Sequence, residues 1–235
     1  MTFTLTWYGH ATIGLDTSGY RLLIDPYFKD NPVAAVGPQD VAADYILVTH
    51  GHADHLGDSI AIARRTGALL ITNSDICGWL QKYKVRTHAQ QLGGGYRHPF
   101  GYLKMTLALH GSALPDGSYG GNPAGFLLTT NDGEKIYIAG DTGLFGDMRL
   151  IGEEGVDLAA LPIGDNYTMG PDDALRAVKL LQPAHVMPIH FGTWSILEQD
   201  AKAWCDRVDE ETSATAHLLR PGQKLVFAEG SVRVE

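Results

Sequence analysis

Directly after a short apolar run, Tyr45-Ile46-Leu47-Val48, the chain reads Thr49-His50-Gly51-His52-Ala53-Asp54-His55. Three imidazoles and a carboxylate packed so tightly are hard to place in an ordinary core, because burying that many polar groups costs several kcal/mol unless each finds a partner. Imidazole nitrogen and carboxylate oxygen are the donors that zinc and its borderline neighbours prefer. In an extended segment alternate residues share a face, so His50 and His52 can chelate one ion together. Gly51 and Ala53 are small and let the backbone bend around it, and Asp54 and His55, past the bend, can face a second ion. A fold for this chain has to carry that segment to a place where further donors can join it.

Three other apolar stretches end in a metal-capable side chain: residues 105–109 run into His110, 135–140 into Asp141, and 186–189 into His190. A strand end on a rigid scaffold holds a polar group more tightly than a free loop does. Around these points the patterning alternates between the two regular structures. Strand signals cover 3–7, 11–15 and 20–24, and a loop broken by Pro32, Gly37 and Pro38 spans 29–40. Helices are predicted over 58–65, capped by Asp58, and over 74–82, capped by Ser74. A bend at 93–95 precedes strands over 104–109 and 125–130, and Asn131-Asp132-Gly133 turns the chain into a strand at 135–139. A buried strand over 158–163 follows. Pro171 then opens a helix striped by Ala174, Leu175, Val178 and Leu181 and stopped by Pro183. A strand at 186–189, an amphipathic helix over 194–208, and strands at 217–219 and 224–228 complete the reading. Interleaving of this kind predicts an α/β architecture with more than one sheet, in one domain over 1–235 without linker or repeat.

Composition narrows the function classes. Hydrophobic residues are 44% and charged residues 19% of the chain, which is globular usage and excludes disorder. The apolar runs fall far short of the ~20 residues of a membrane span, and the N-terminus lacks the pattern of a signal peptide. Two cysteines, Cys77 and Cys205, fit a reducing cytoplasm, and both read as small buried hydrophobes. A formal net charge of −9 argues against a nucleic-acid surface.

The His-x-His-x-Asp-His segment after a strand resembles the signature of the metallo-β-lactamase superfamily, and His110, Asp141 (in Ala-Gly-Asp-Thr) and His190 (in Met-Pro-Ile-His) follow in that superfamily's order. Trp-Tyr-Gly-His-Ala-Thr near the start, Leu-Ile-Asp-Pro, and Tyr-Thr-Met-Gly-Pro-Asp-Asp-Ala are similar to its small bacterial and archaeal branch of metal-dependent hydrolases. The resemblance implies a four-layer αβ/βα sandwich with the site at one edge. It also implies two divalent ions, zinc first, with manganese and iron(II) also suited to the donors. His50, His52 and His110 would bind one ion and Asp54, His55 and His190 the other, with Asp141 bridging. Seven donors are too many for one tetrahedral ion and about right for two. Two cations about 3.5–4 Å apart generate a hydroxide nucleophile near neutral pH and polarise the bond it attacks, with Asp54 also a proton acceptor.

That chemistry fits hydrolysis of a small ester, lactone, thioester or amide. The same site permits a phosphodiesterase or nuclease, against which the charge and the lack of a further domain both weigh. A flavodiiron-type oxidoreductase would need a flavin domain, and a binding module without catalysis leaves the donor set unexplained. Specificity falls to loops 29–40 and 112–124; the second has no basic residue, and in the first Lys29 is the nearest. Beyond the seven donors, His10 is a candidate for substrate contact, Asp25 for orienting a ligand histidine, and Tyr167 for donating to an oxyanion. Asn166 and Thr168 beside it suit a helix cap. His88, His98, His185 and His217 read as structural.

Overall fold

The computed structural model describes residues 3–228 and 231–235. Chain order and spatial order nearly coincide. Strands β1 (Phe3–Gly9), β2 (Thr12–Thr17), β3 (Tyr20–Ile24), β4 (Tyr45–Leu47), β5 (Leu69–Asn73) and β6 (Thr87–Gln90) enter one sheet. Strands β7 (Gly95–His98), β8 (Gly101–Leu107), β9 (Ala124–Thr130), β10 (Lys135–Ile138), β11 (Leu158–Pro162), β12 (His185–Ile189) and β13 (Thr215–Ala216) build the second. The chain then returns through β14 (Lys224–Ala228) and β15 (Ser231–Val234) to the free side of β1. Each sheet starts as an antiparallel meander and turns parallel: β3 through β6 in the first, β10 through β13 in the second.

Alternation along the strands produces the layers. Leu22, Ile24, Leu47 and Ile71 face Ile136, Ile138, Leu158 and Ala160 in the core between the sheets. The intervening residues Leu23, Ile46, Val48 and Leu70 point outward, where they meet Leu56 of α1 (Ala53–Leu56), Ile62 of α2 (Ser59–Thr66), and Ile76 and Leu80 of α3 (Ser74–Leu80). On the far side Tyr137, Ala159 and Leu161 pack under α4 (Met148–Gly152), α5 (Pro171–Leu181) and α6 (Ala201–Glu211). The result is a four-layer αβ/βα sandwich. Among the described residues no helix is long and apolar enough to cross a membrane.

Several boundaries differ from the sequence reading. The helix expected over 194–208 is split into a 3₁₀ turn at Ser195–Leu197 and α6, which begins where Asp200 accepts a hydrogen bond from the Ala203 amide. Trp194 is thereby left extended and outside the helix. Asn73, one residue before the expected Ser74, caps α3 by accepting from the Ile76 amide. Asp58 precedes α2 but spends its carboxylate on the amides of Phe28 and Lys29. α5 starts at Gly170 without a side-chain cap, so Asn166 and Thr168 do not serve there. No strand forms at 217–219; the two-residue β13 ends just before it, at Ala216, and β5, β6, β7 and α4 have too little periodicity to be read from sequence.

His98 and His217 lie away from the strand-end donors. Burial, reinforced by the neighbouring His88 and His185 respectively, lowers each pKa from 6.5 to about 4. The unfolded chain therefore takes up these protons first. The stability they allow is complete above pH 6.5 and is lost as the pH falls toward 4. With chelator present throughout, the urea midpoint should be lower at about pH 5 than at about pH 7.5. A His98→Gln/His217→Gln variant should lose less between the two values, and an equal loss would remove these histidines from the account.

Candidate metal centre

The donors reach one edge of the sandwich because the strands that carry them end there. His50 to His55 follow β4, His110 follows β8, Asp141 follows β10 and His190 follows β12. Backbone conformations are unusual at this edge: His10, Asp25, Asp165, Asn166 and His190 all have positive φ, five of the eight such non-glycine residues described. Conformations of this kind persist where surrounding structure enforces them. Gly57 closes α1 at φ 41°, and a Cβ there would lie 2.3 Å from the Pro26 carbonyl oxygen, so the loop after Asp25 can press against the histidine segment only over a glycine.

All seven sequence-predicted donors converge. His50 Nε2 and His110 Nε2 lie 3.0 and 3.3 Å from His52 Nδ1. Donors at the bond lengths of a tetrahedral zinc ion sit about 3.4 Å apart, close to this spacing. Asp141 stands at the centre: its Oδ1 is 3.3 Å from His55 Nε2, and its Oδ2 is 3.0 Å from His190 Nε2 and 3.5 Å from His110 Nε2. Asp54 Oδ2 lies 3.8 Å from His55 Nε2 and 4.0 Å from His190 Nε2. By ligand-atom proximity the donors group as His50, His52 and His110; His50, His55 and Asp141; and His10, Asp54, His55 and His190.

Asp25 organises the histidines from behind. Its two oxygens accept from the Thr49 amide (2.8 Å), the Thr49 hydroxyl (2.6 Å) and His55 Nδ1 (2.8 Å). Because the Thr49 hydroxyl donates to Asp25, it accepts from His50 Nδ1 at 3.0 Å. One carboxylate thus holds a proton on Nδ1 of both His55 and His50 and turns both Nε2 atoms inward. His10 does the same for Asp54. Thr193 Oγ1 is 2.8 Å from His10 Nδ1, and His10 Nε2 donates to Asp54 Oδ2 at 3.1 Å. Both ring nitrogens are engaged, so His10 has no lone pair to offer an ion. Its carbonyl also accepts from the His190 amide and from Trp7 Nε1. Sequence reasoning named Asp25 and His10 but missed Thr49, Thr193 and Trp194, whose ring packs edge-on against His10 at 5.1 Å. A hydroxyl buried at a strand end beside a histidine was the available signal for Thr49.

The electrostatics call for positive charge. Burial opposes charging His55, yet Asp141 and Asp25 on either side outweigh it and hold its pKa well above the ordinary value. Burial also opposes ionising Asp141, but His190 and His55 keep it well below the usual carboxylate range. Burial keeps His50 neutral, helped by His55, and lowers His52 and His110 as well. Two carboxylates held ionised, Asp54 and Asp141, therefore share a pocket with three imidazoles held neutral, His50, His52 and His110. His55 Nε2, Asp141 Oδ1 and both nitrogens of His190 are buried without a hydrogen-bond partner. Orphaned buried groups in a native site need an explanation, and a metal cation accounts for His55 Nε2, Asp141 Oδ1 and His190 Nε2, which lie together. Above the donors opens a cavity of about 220 Å³ whose lining includes Tyr167 and Trp194.

Residues 20–191 match a family described as a beta-lactamase superfamily domain. The chain is 46% identical over 217 residues to a UPF0173 metal-dependent hydrolase of Thermus thermophilus, covering 92% of this chain and 96% of that one. It is 45% identical over 231 residues to a namesake from Heliobacterium modesticaldum, covering 95% and 97%. Among solved structures, Igni18, a metallo hydrolase from Ignicoccus hospitalis KIN4/I, superposes with a TM-score of 0.89 at 32% identity, covering 97% and 100%. An isothiocyanate hydrolase from Delia radicum gut bacteria shares the fold at a TM-score of 0.75 and 22% identity, covering 96% and 99%. The fold, the histidine and aspartate cluster and these relatives agree: the chain belongs to the beta-lactamase superfamily and is a metal-dependent hydrolase of metallo-β-lactamase fold.

Proposed function

We propose that the protein hydrolyses a small carboxylic ester, lactone, thioester or amide with two divalent ions, zinc foremost. His50, His52 and His110 would hold one, Asp54, His55 and His190 the other, and Asp141, between the two sets, would serve both. The observation that supports this most directly is the set of buried, partnerless donor atoms on His55, Asp141 and His190 facing the three-histidine cluster. Bound there, the ions supply a water acidic enough to be a nucleophile near neutral pH and a Lewis acid for the scissile carbonyl.

The chain's own groups do the rest. Asp25 keeps His50 and His55 in the tautomer that presents Nε2. Burial works against ionising Asp54, but the hydrogen bond from His10 prevails and holds its pKa well below the ordinary value, so the group stays an ionised carboxylate suited to a cation. Tyr167, exposed at the rim, is placed to donate to the oxygen on which charge develops. Trp194 lines the same mouth and packs on His10. No lysine or arginine lines this mouth, so no side chain adds to the ions in neutralising a phosphodiester, and an uncharged carbonyl substrate suits it better.

Metal analysis of the purified protein, followed by competition between an aryl acetate or lactone and a bis-aryl phosphate at saturating metal, tests both halves of the proposal. Two equivalents of metal, loss of activity with chelator, and a higher kcat/KM on the carboxyl substrate are expected. A higher kcat/KM on the phosphate, or tight salt-sensitive RNA binding, would transfer the site to phosphodiester chemistry; failure to load any metal would remove the mechanism.

A further inference from the structure

The mouth above the donors has room for a scissile group and little more. Beside it lies a cavity of about 550 Å³, within the range of pockets that enclose whole small molecules. The two share a wall. Ala53 lines the larger cavity, while its neighbours in sequence, His52 and Asp54, line the mouth. Tyr27 also lines the larger cavity, and its ring lies 5.8 Å from that of His10 and 6.3 Å from that of Trp194.

The lining of this cleft is mainly apolar. Leu56, Ile60, Trp79, Tyr83 and Pro115 contribute from α1, α2, the end of α3 and the loop over 112–123. Its charges are largely spent on one another. Lys82 Nζ sits 4.2 Å from the centre of the Trp79 ring and 3.2 Å from Asp116 Oδ2, and Trp79 Nε1 donates to the same carboxylate oxygen at 2.6 Å. Asp58 accepts from two backbone amides. Lys29 and Asp30, adjacent and of opposite sign, stay at the exposed lip. Lys82, Asp116 and Asp58 thus each have a partner within the protein.

We propose that this cleft seats an uncharged apolar arm of the substrate, phenyl- to octyl-sized, while the scissile group lies over the donors. The substrate is then an ester, lactone, thioester or amide with a bulky apolar substituent on one side of the bond. The inference rests on the hydrolase reading for the position of that bond.

Two matched ester series on the metal-loaded full chain test it. One lengthens the acyl group from acetyl to octanoyl on a fixed p-nitrophenol; the other lengthens the alcohol from methyl to octyl and benzyl on a fixed acetyl. In one of the two, kcat/KM should climb about fourfold per buried methylene until the cleft is full. Ile60→Trp, which fills the cleft, should flatten that climb and leave methyl acetate, whose two arms are both too small to need the cleft, unchanged. Tyr83→Ala, which widens it, should move the optimum to longer chains and serves if Ile60→Trp does not fold. Binding of 2-undecanone, followed by tryptophan fluorescence with Trp79→Phe as control, reads the cleft without catalysis. Length-independent kcat/KM in both series, with no Trp79-dependent quench, would overturn the cleft while leaving the hydrolase reading intact. A Trp79-dependent quench abolished by Ile60→Trp, in a protein that cleaves none of the esters, would uphold the cleft and overturn the hydrolase reading.

Discussion

Asp141→Asn should cost the protein both metal and activity. The aspartate is buried at the centre of the cluster, one oxygen 3.3 Å from His55 Nε2 and the other within 3.5 Å of both His190 Nε2 and His110 Nε2. Asparagine keeps the volume, removes a negative charge and turns an N–H₂ donor toward lone pairs that need a cation. Removing one preorganised electrostatic contact in an active site costs about 10²–10³ in rate, and a group facing both halves of the cluster should exceed about 10³ in kcat/KM. His190→Ala is the contrast: it should release one equivalent and keep the one held by His50, His52 and His110. Metal content per chain, measured beside kcat/KM, separates the two. Full occupancy and activity in Asp141→Asn would mean that the carboxylate is not shared.

Asp25→Ala should be nearly as damaging although Asp25 lies behind the histidines and does not face the cavity. Three donors lose their acceptor at once: the Thr49 amide, the Thr49 hydroxyl and His55 Nδ1. Residues that orient metal ligands typically contribute about 10–100-fold in metal affinity, and breaking a buried pair from one side costs about 3–5 kcal/mol. Both losses are expected here, read as metal affinity against a competing chelator and as the denaturant midpoint of the metal-free protein. A fall in stability with unchanged metal affinity would reduce Asp25 to a structural role.

The parts of this molecule legible in its sequence were those with a short period or a dense chemical signature. Ile136, Tyr137 and Ile138 alternate cleanly between the two cores, and the histidine segment is too polar for any metal-free interior. What escaped was decided by distant partners. β5, β6 and β7 are recognisable as strands only once their neighbours supply the hydrogen bonds. Trp194 looks helical by periodicity, yet Asp200 caps the helix later and frees the indole to pack on His10. The two hydroxyls that complete the site, on Thr49 and Thr193, are ordinary residues in sequence; only folding places the second beside a histidine 183 positions away. The large cleft likewise combines loop and helix residues that no local pattern groups.

The donors come from both sheets: His50 to His55 hang from the first, and His110, Asp141 and His190 from the second. An ion held by both acts as a clasp rather than a nucleus. It can close only after the halves have met, so it lends nothing to the search for the folded shape and its full weight to keeping that shape shut. Loading should therefore lengthen the lifetime of the folded chain while leaving the speed of its formation unchanged. The chain has to find its fold before the clasp can close, and it gains its resistance to opening last.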